Sequence, residues 1–209
     1  MKILFICERF NGHSIKVQPW KHVFELAKGL QRRKHEICIL TDKDSDLSNK
    51  ELILAKFRIK SVRKGKFLFN MQDLNKVLSE DFDIINWHAS SIISSLQFKH
   101  LKNIRQNFVW TLHSGIIDFD TLHNLKIADA LLLTSLWSHF LSSLAPAFLL
   151  RNTASFPHMK AIITLSKRMK NYFIKFGINE NIVHVIYSGV DVEKYHPRNE
   201  RYTSKIKEE

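Results

Sequence analysis

Lys2-Ile3-Leu4-Phe5-Ile6-Cys7, then a loop through Asn11 and Gly12, then Val23, Leu26, Ala27 and Leu30, then Ile37-Cys38-Ile39-Leu40: this opening stretch decides the fold. The first run is short and wholly apolar, as a strand buried on both faces of a parallel sheet requires. Pro19 suits the first turn of a helix, where its missing N–H costs nothing. The four apolar residues after it recur at i, i+3, i+4 and i+7, which lays one stripe along that helix. Arg32-Arg33-Lys34 ends it with positive charge that complements the helix dipole. A second apolar run follows at once, so strand, helix and strand form a βαβ unit with a right-handed crossover.

The same alternation extends outward. Ile53 to Val62 reads as an edge strand, with Phe57 and Ile59 set against Lys56, Arg58 and Lys60. Asp73 to Leu78 fits a short helix, and so does Ile92 to Leu101. Asp83 to His88, Phe108 to His113, Ala161 to Ser166 and Val183 to Ile186 read as further strands. A helix from Lys167 to Phe176, stopped by Gly177, separates the last two. The expected class is α/β: a doubly wound, mostly parallel sheet with helices on both faces. One domain is expected over residues 1–197, and residues 198–209 read as a polar linker or tail.

Composition restricts partners more than it restricts the fold. The chain has 209 residues, 44% hydrophobic and 25% charged, which excludes wholesale disorder and fibrous repeats. A chain this long buries a core without disulfides or metal, and Cys7 and Cys38 read as buried thiols of a reducing compartment. Ile3 to Cys7 is too short for the apolar segment of a secretory signal. The net charge is +12, drawn mostly from residues 1–80, which carry 17 basic and 9 acidic side chains. An anionic partner fits that excess, and an anionic membrane surface is the favoured form. Residues 130–150 contain no Asp, Glu, Lys or Arg, yet strands of one sheet flank them. They read as a buried or interface-seated helical pair rather than a membrane span. The basic runs Lys56 to Lys60 and Arg63 to Lys66 have charge enough for nucleic acid but lack a recognised motif, so nucleic-acid binding is not expected.

Open α/β sheets bind ligands at the carboxyl ends of their strands. Strand order in the sequence sends Asn11, Gly12, His13, His88, His113, Ser114, Gly115, Ser166 and Lys167 to that rim. The first turn lacks G-x-G-x-x-G, and neither a P-loop nor a G-x-S-x-G elbow occurs, so a dinucleotide cofactor, a P-loop hydrolase and a serine hydrolase are disfavoured. His88 and His113 can approach each other on neighbouring strands, but no carboxylate motif joins them, so no metal site is expected. His22 and Glu25 read as surface polar residues.

Several segments together resemble the family-4 glycosyltransferases of GT-B fold. These are the opening through Asp42, Asp83-Ile84-Ile85-Asn86-Trp87-His88, Thr111-Leu112-His113-Ser114-Gly115 and Ala161 to Lys167. Ile186-Tyr187-Ser188-Gly189-Val190-Asp191 through Tyr195-His196-Pro197 is the most specific piece. In such enzymes two Rossmann-like domains face each other across a cleft. The resemblance implies that this chain is the N-terminal, acceptor-binding half. It implies a donor-phosphate loop at Asn11, Gly12 and His13, with His113 catalytic against the transferred sugar or incoming hydroxyl. It also implies an acceptor and sugar wall of His88, Ser114, Gly115, Ser166 and Lys167, and an interdomain linker at Ser188, Gly189 and Asp191. Asn11-Gly12 stands where the family has a double glycine, Asn86 where it has a histidine, and Ser188 where it has an asparagine.

The implied activity is retaining transfer of a sugar from a nucleotide-sugar co-substrate to a lipid-linked or envelope glycan. No other cofactor is expected, and the implied place is the cytoplasm, peripheral at the inner membrane face. The donor-binding half would begin about where this sequence stops, so nucleotide-sugar binding would depend on a domain outside the chain. The alternative is a non-catalytic Rossmann-like binding module or one subunit of a split enzyme.

Overall fold

The computed structural model describes residues 1–43, 47–48, 50–65, 68–89, 92–101, 104–113, 150, 153 and 156–189. Seven strands form one sheet: β1 (Lys2–Cys7), β2 (Glu36–Asp42), β3 (Arg58–Val62), β4 (Ile84–Ala89), β5 (Asn107–Leu112), β6 (Met159–Thr164) and β7 (Val183–Val185). Their order is β3-β2-β1-β4-β5-β6-β7, and every neighbouring pair is parallel. Parallel neighbours need crossovers. Those among the described residues include α1 (Trp20–Arg32), α2 (Lys50–Ala55), α3 (Met71–Leu78) and α4 (Lys167–Lys175). The chain runs outward from β1 to β3, then returns to the other side of β1 as β4. That reversal is a topological switch point, where loops at the carboxyl ends part and open a crevice.

The apolar run of β1 is divided between two cores by its period of two. Ile3, Phe5 and Cys7 face Val23, Phe24 and Ala27 of α1, with Ile37 and Ile39 of β2. Leu4 and Ile6 face the other way, into a cluster with Leu74, Val77 and Leu78 of α3 and Met169 and Phe173 of α4. Aromatic edges fill the centre of that second layer: Phe98 stands 5.2 Å from Trp87, 5.0 Å from Phe108 and 5.5 Å from Trp110, ring centroid to ring centroid. Burying each such side chain contributes on the order of 2–3 kcal/mol before conformational entropy is subtracted. Both cysteines are buried and unpaired.

The local signals hold at most boundaries. Pro19 sits at the N-cap of α1 rather than inside its first turn, and Phe24, not Leu26, faces the core. Asn70 caps α3 by accepting from the Gln72 and Asp73 N–H groups at 3.1 Å each. Gly177 follows the last residues of α4 at φ 84°, where a side chain would be strained.

One reading changes. Ile53 to Val62 is not one strand: Lys50–Ala55 is helical, and β3 begins at Arg58. Ile53 and Leu54 lie 63% and 67% exposed on that helix, so their apolar character reflects no sheet face. The helix expected from Ile92 is present over Ile92–His100, of 3-10 type, with Phe98 turned into the core. β3 is an edge strand, as its alternation suggested.

Residues 130–149, the tail 198–209 and the residues 190–197 before it, Ser114, Gly115 and Asp191 lie outside the described residues. Among the described residues, no helix is long and apolar enough to cross a membrane.

Candidate functional site

β4 and β5 are in register, with His88 opposite Thr111. The ladder continues one step past β5, where the His113 N–H donates to the Ala89 carbonyl at 2.9 Å. That bond carries the His113 ring beside His88. The two imidazoles meet through His88 Nδ1 and His113 Nε2 at 2.9 Å, with their planes within 18° of each other. Beneath them, Thr111 Oγ1 donates to Asn86 Oδ1 at 2.9 Å. Asn86, two positions before His88 on β4, thus ties β4 to β5 beneath the site.

His88 is 1% exposed, and Phe5 stands nearly perpendicular to it at 4.9 Å. Burial drives its pKa well below the ordinary histidine range, and the neighbouring His113 and His22 add to the effect. Burial, followed by repulsion from His22, lowers His113 to about 4. Both rings are therefore neutral near pH 7. Two nitrogens of the pair, His88 Nε2 and His113 Nδ1, are shielded from solvent and have no hydrogen-bond partner among the described residues.

Helix α1 closes the other side of His113. Trp20 and His22 each place a ring 6.1 Å from it, both inclined at 65°. His22 is thus half-buried at the site and not a plain surface residue, and burial lowers its pKa too. The signal that could have found it is topological: a helix that follows a parallel strand begins at the carboxyl-end rim. No group of three or more His, Cys, Asp or Glu side chains among the described residues is placed to hold a metal ion.

The loop after β1 is stapled by its own side chains and by the end of β2. Asn11 Oδ1 accepts from the His13 and Ser14 N–H groups at 3.0 and 2.8 Å, and Ser14 Oγ accepts from the Asn11 N–H at 2.8 Å. Asn11 is therefore occupied in shaping the loop; Gly12 is buried within it and His13 is exposed. Arg9 adopts φ 54°, a left-handed conformation unusual for arginine. Its N–H donates to the Asp42 carboxylate, and the Phe10 N–H donates to Thr41 Oγ1 at 3.0 Å, so two neighbouring bonds hold that backbone.

Glu8, in the same loop, forms an ion pair with Lys64 at 2.8 Å. The basic segment after the edge strand β3 therefore reaches the rim. Both partners are largely covered, so the pair is less screened than a surface one.

Ser166 and Lys167 lie farther along the same edge, at the start of α4. Ser166 Oγ accepts from the Met169 N–H at 3.2 Å as a helix cap, and Lys167 is exposed. The segment from Ile186 to Gly189 leaves the sheet exposed, with Tyr187 61% accessible.

The sequence matches glycosyltransferase family 4 over residues 20–194, and the chain belongs to that family. No curated protein matches it. Among solved structures, Anabaena Alr3699/HepE in complex with UDP-glucose aligns with all of the chain and 49% of its own, at 16% identity and a TM-score of 0.58. Sucrose-phosphate synthase from Thermosynechococcus elongatus aligns over 99% of this chain and 52% of its own, at 9% identity and a TM-score of 0.62. A glycosyltransferase from Rickettsia africae aligns over 99% and 48%, at 17% identity and a TM-score of 0.58. The chain thus spans about half the length of these structures, and its fold is the Rossmann-like α/β unit that makes up half of a GT-B glycosyltransferase.

Proposed function

We propose that this chain is the acceptor-side half of a retaining glycosyltransferase. It would act on a nucleotide-sugar held by a companion donor lobe and pass the sugar to a lipid-linked or envelope glycan. The observation that carries this reading is the neutral His88–His113 pair, at 2.9 Å on the carboxyl-end rim of a family-4 chain. Uncharged imidazoles can donate to sugar hydroxyls without adding a cation where acceptor and donor meet. The stapled Asn11–Ser14 loop lies after β1 at the switch point, where its own hydrogen bonds hold Gly12 in a fixed wall of the crevice that an approaching diphosphate would enter. HepE, one of its structural neighbours, binds UDP-glucose. Residues 1–197 would form the acceptor domain, with Ser188, Gly189 and Asp191 leading toward the donor lobe.

Mixing the chain with the separately produced donor half of a family-4 relative and labelled UDP-glucose tests the reading. Label transfer to a membrane lipid extract in the mixture, and in neither component alone, is the expected result. Silence with every nucleotide-sugar tried would favour a non-catalytic binding module.

The basic excess supports a peripheral place at the cytoplasmic face of an anionic membrane. Co-sedimentation with anionic vesicles, weakened by salt and absent with neutral ones, is the expected outcome; equal binding to both would remove the electrostatic basis.

A further inference from the structure

The paired rings hold four nitrogens, and two of them face each other. One of His88 Nδ1 and His113 Nε2 carries the shared hydrogen, and the other accepts it at 2.9 Å. Two neutral arrangements satisfy that bond. If His88 Nδ1 donates, His88 Nε2 is bare and His113 bears its hydrogen on Nδ1. If His113 Nε2 donates, His88 bears its hydrogen on Nε2 and His113 Nδ1 is bare. Each arrangement puts both rings in the same tautomer.

The surroundings favour the first. His88 Nε2 lies in the interior, shielded from solvent, without a partner among the described residues, and on a ring packed against Phe5. A hydrogen there would make it an orphaned donor, and buried N–H groups left unpaired are rarer than acceptors left unpaired. His113 Nδ1 is shielded as well and also lacks a partner among the described residues, but His113 as a whole is only half-buried, at the strand end beside the start of α1, where a small rotation of the ring would bring that nitrogen to the rim. A ligand oxygen accepting from it would satisfy a donor that has no partner among the described residues.

We propose that His88 is a positioning residue that holds His113 in the neutral Nδ1–H form, so that His113 offers a hydrogen to an oxygen of bound sugar or phosphate and cannot serve as a base through Nε2. The ligand part of this inference rests on the reading of the rim as a sugar site. The tautomer part does not.

Long-range proton–nitrogen correlation on the nitrogen-15-labelled full chain near neutral pH reads each ring directly. Hydrogen on Nδ1 of both His88 and His113 is the expected pattern. Hydrogen on Nε2 of both, or a charged ring in either, overturns the proposal. His88→Phe keeps an aromatic ring but removes the donor, and His113 should then move to the Nε2–H form. An unchanged His113 spectrum in folded H88F overturns the role of His88. His88→Asn, whose amide can replace the Nδ1–H donor, should restore the original form. Should H88F not fold, the wild-type pattern decides alone. None of these measurements uses a sugar, so failure of the transfer assay and failure of this proposal are separable.

Discussion

The two ends of the sheet are built on opposite plans. At the carboxyl ends, two imidazoles, those of His88 and His22, flank His113, two ring nitrogens lack partners among the described residues, and Arg9 holds an unusual φ. At the amino ends, an open groove of about 490 Å³ runs between Ser79–Asp83 and Arg105–Asn107. Two of its carboxylates are engaged: Glu80 takes both Arg58 and Lys60, and Asp83 accepts from the Lys2 N–H at 2.7 Å. Gln106 Nε2 donates to the Glu80 carbonyl at 3.1 Å. The unpartnered imidazole nitrogens thus belong to the carboxyl ends, whereas left-handed backbone occurs at both, at Arg9 on one rim and at Lys34 and Lys56 just before β2 and β3 on the other.

Substitutions at the two ends should therefore separate activity from stability. The largest effect is expected for His113→Ala, which should lower sugar transfer in the reconstituted mixture about 100-fold or more, the scale of losing one preorganised donor. A change of only a few-fold would break the contrast at its functional end.

Acid should find the carboxyl end next. His113 titrates near 4 when folded and near 6.5 when unfolded, so the unfolded chain takes up the proton first as pH falls through that window. Its contribution to stability is complete above the unfolded value, and on the order of 3 kcal/mol is lost by pH 4. His88 and His22 shift in the same direction. Urea unfolding at about pH 7 and about pH 5 should show this decline, and His113→Phe should make it shallower. An equal decline in the variant would assign the acid sensitivity elsewhere.

The smallest effect belongs to the amino end. Glu80→Ala should cost about 1 kcal/mol or less in urea unfolding, since its ion pairs are partly exposed, and should leave transfer unchanged. A loss of transfer would mean that the two ends are coupled.

Much of this arrangement could be read from the chain. Short apolar runs bounded by polar loops located six strands to within a few residues, because both faces of a parallel sheet are buried. The exception is instructive: Phe57-Arg58-Ile59-Lys60 alternates as an edge strand should, but Ile53 and Leu54 extended that signal backward into what is a helix. Apolar residues on an exposed short helix mimic a strand face, and only tertiary placement distinguishes them. His88 and His113 were legible as neighbours because strand order implied it. The contact of His22 with His113 was not, because it depends on where around its axis α1 meets the sheet. Nor was Glu8 with Lys64, two residues far apart in sequence that meet only once β2 has been crossed.

That pairing links the peripheral turn to the carboxyl-end rim. Among the described residues around it, the Gly65 N–H bonds to the Leu68 carbonyl and the Asn70 N–H to the Arg63 carbonyl, both at 2.8 Å. Lengthening this excursion would drag Lys64 off its carboxylate and leave Glu8 uncompensated under the loop that carries Asn11 and Gly12. Evolution is thus less free to remodel this corner than its marginal location suggests, and grafts exchanged among relatives should transplant both halves of the tether together.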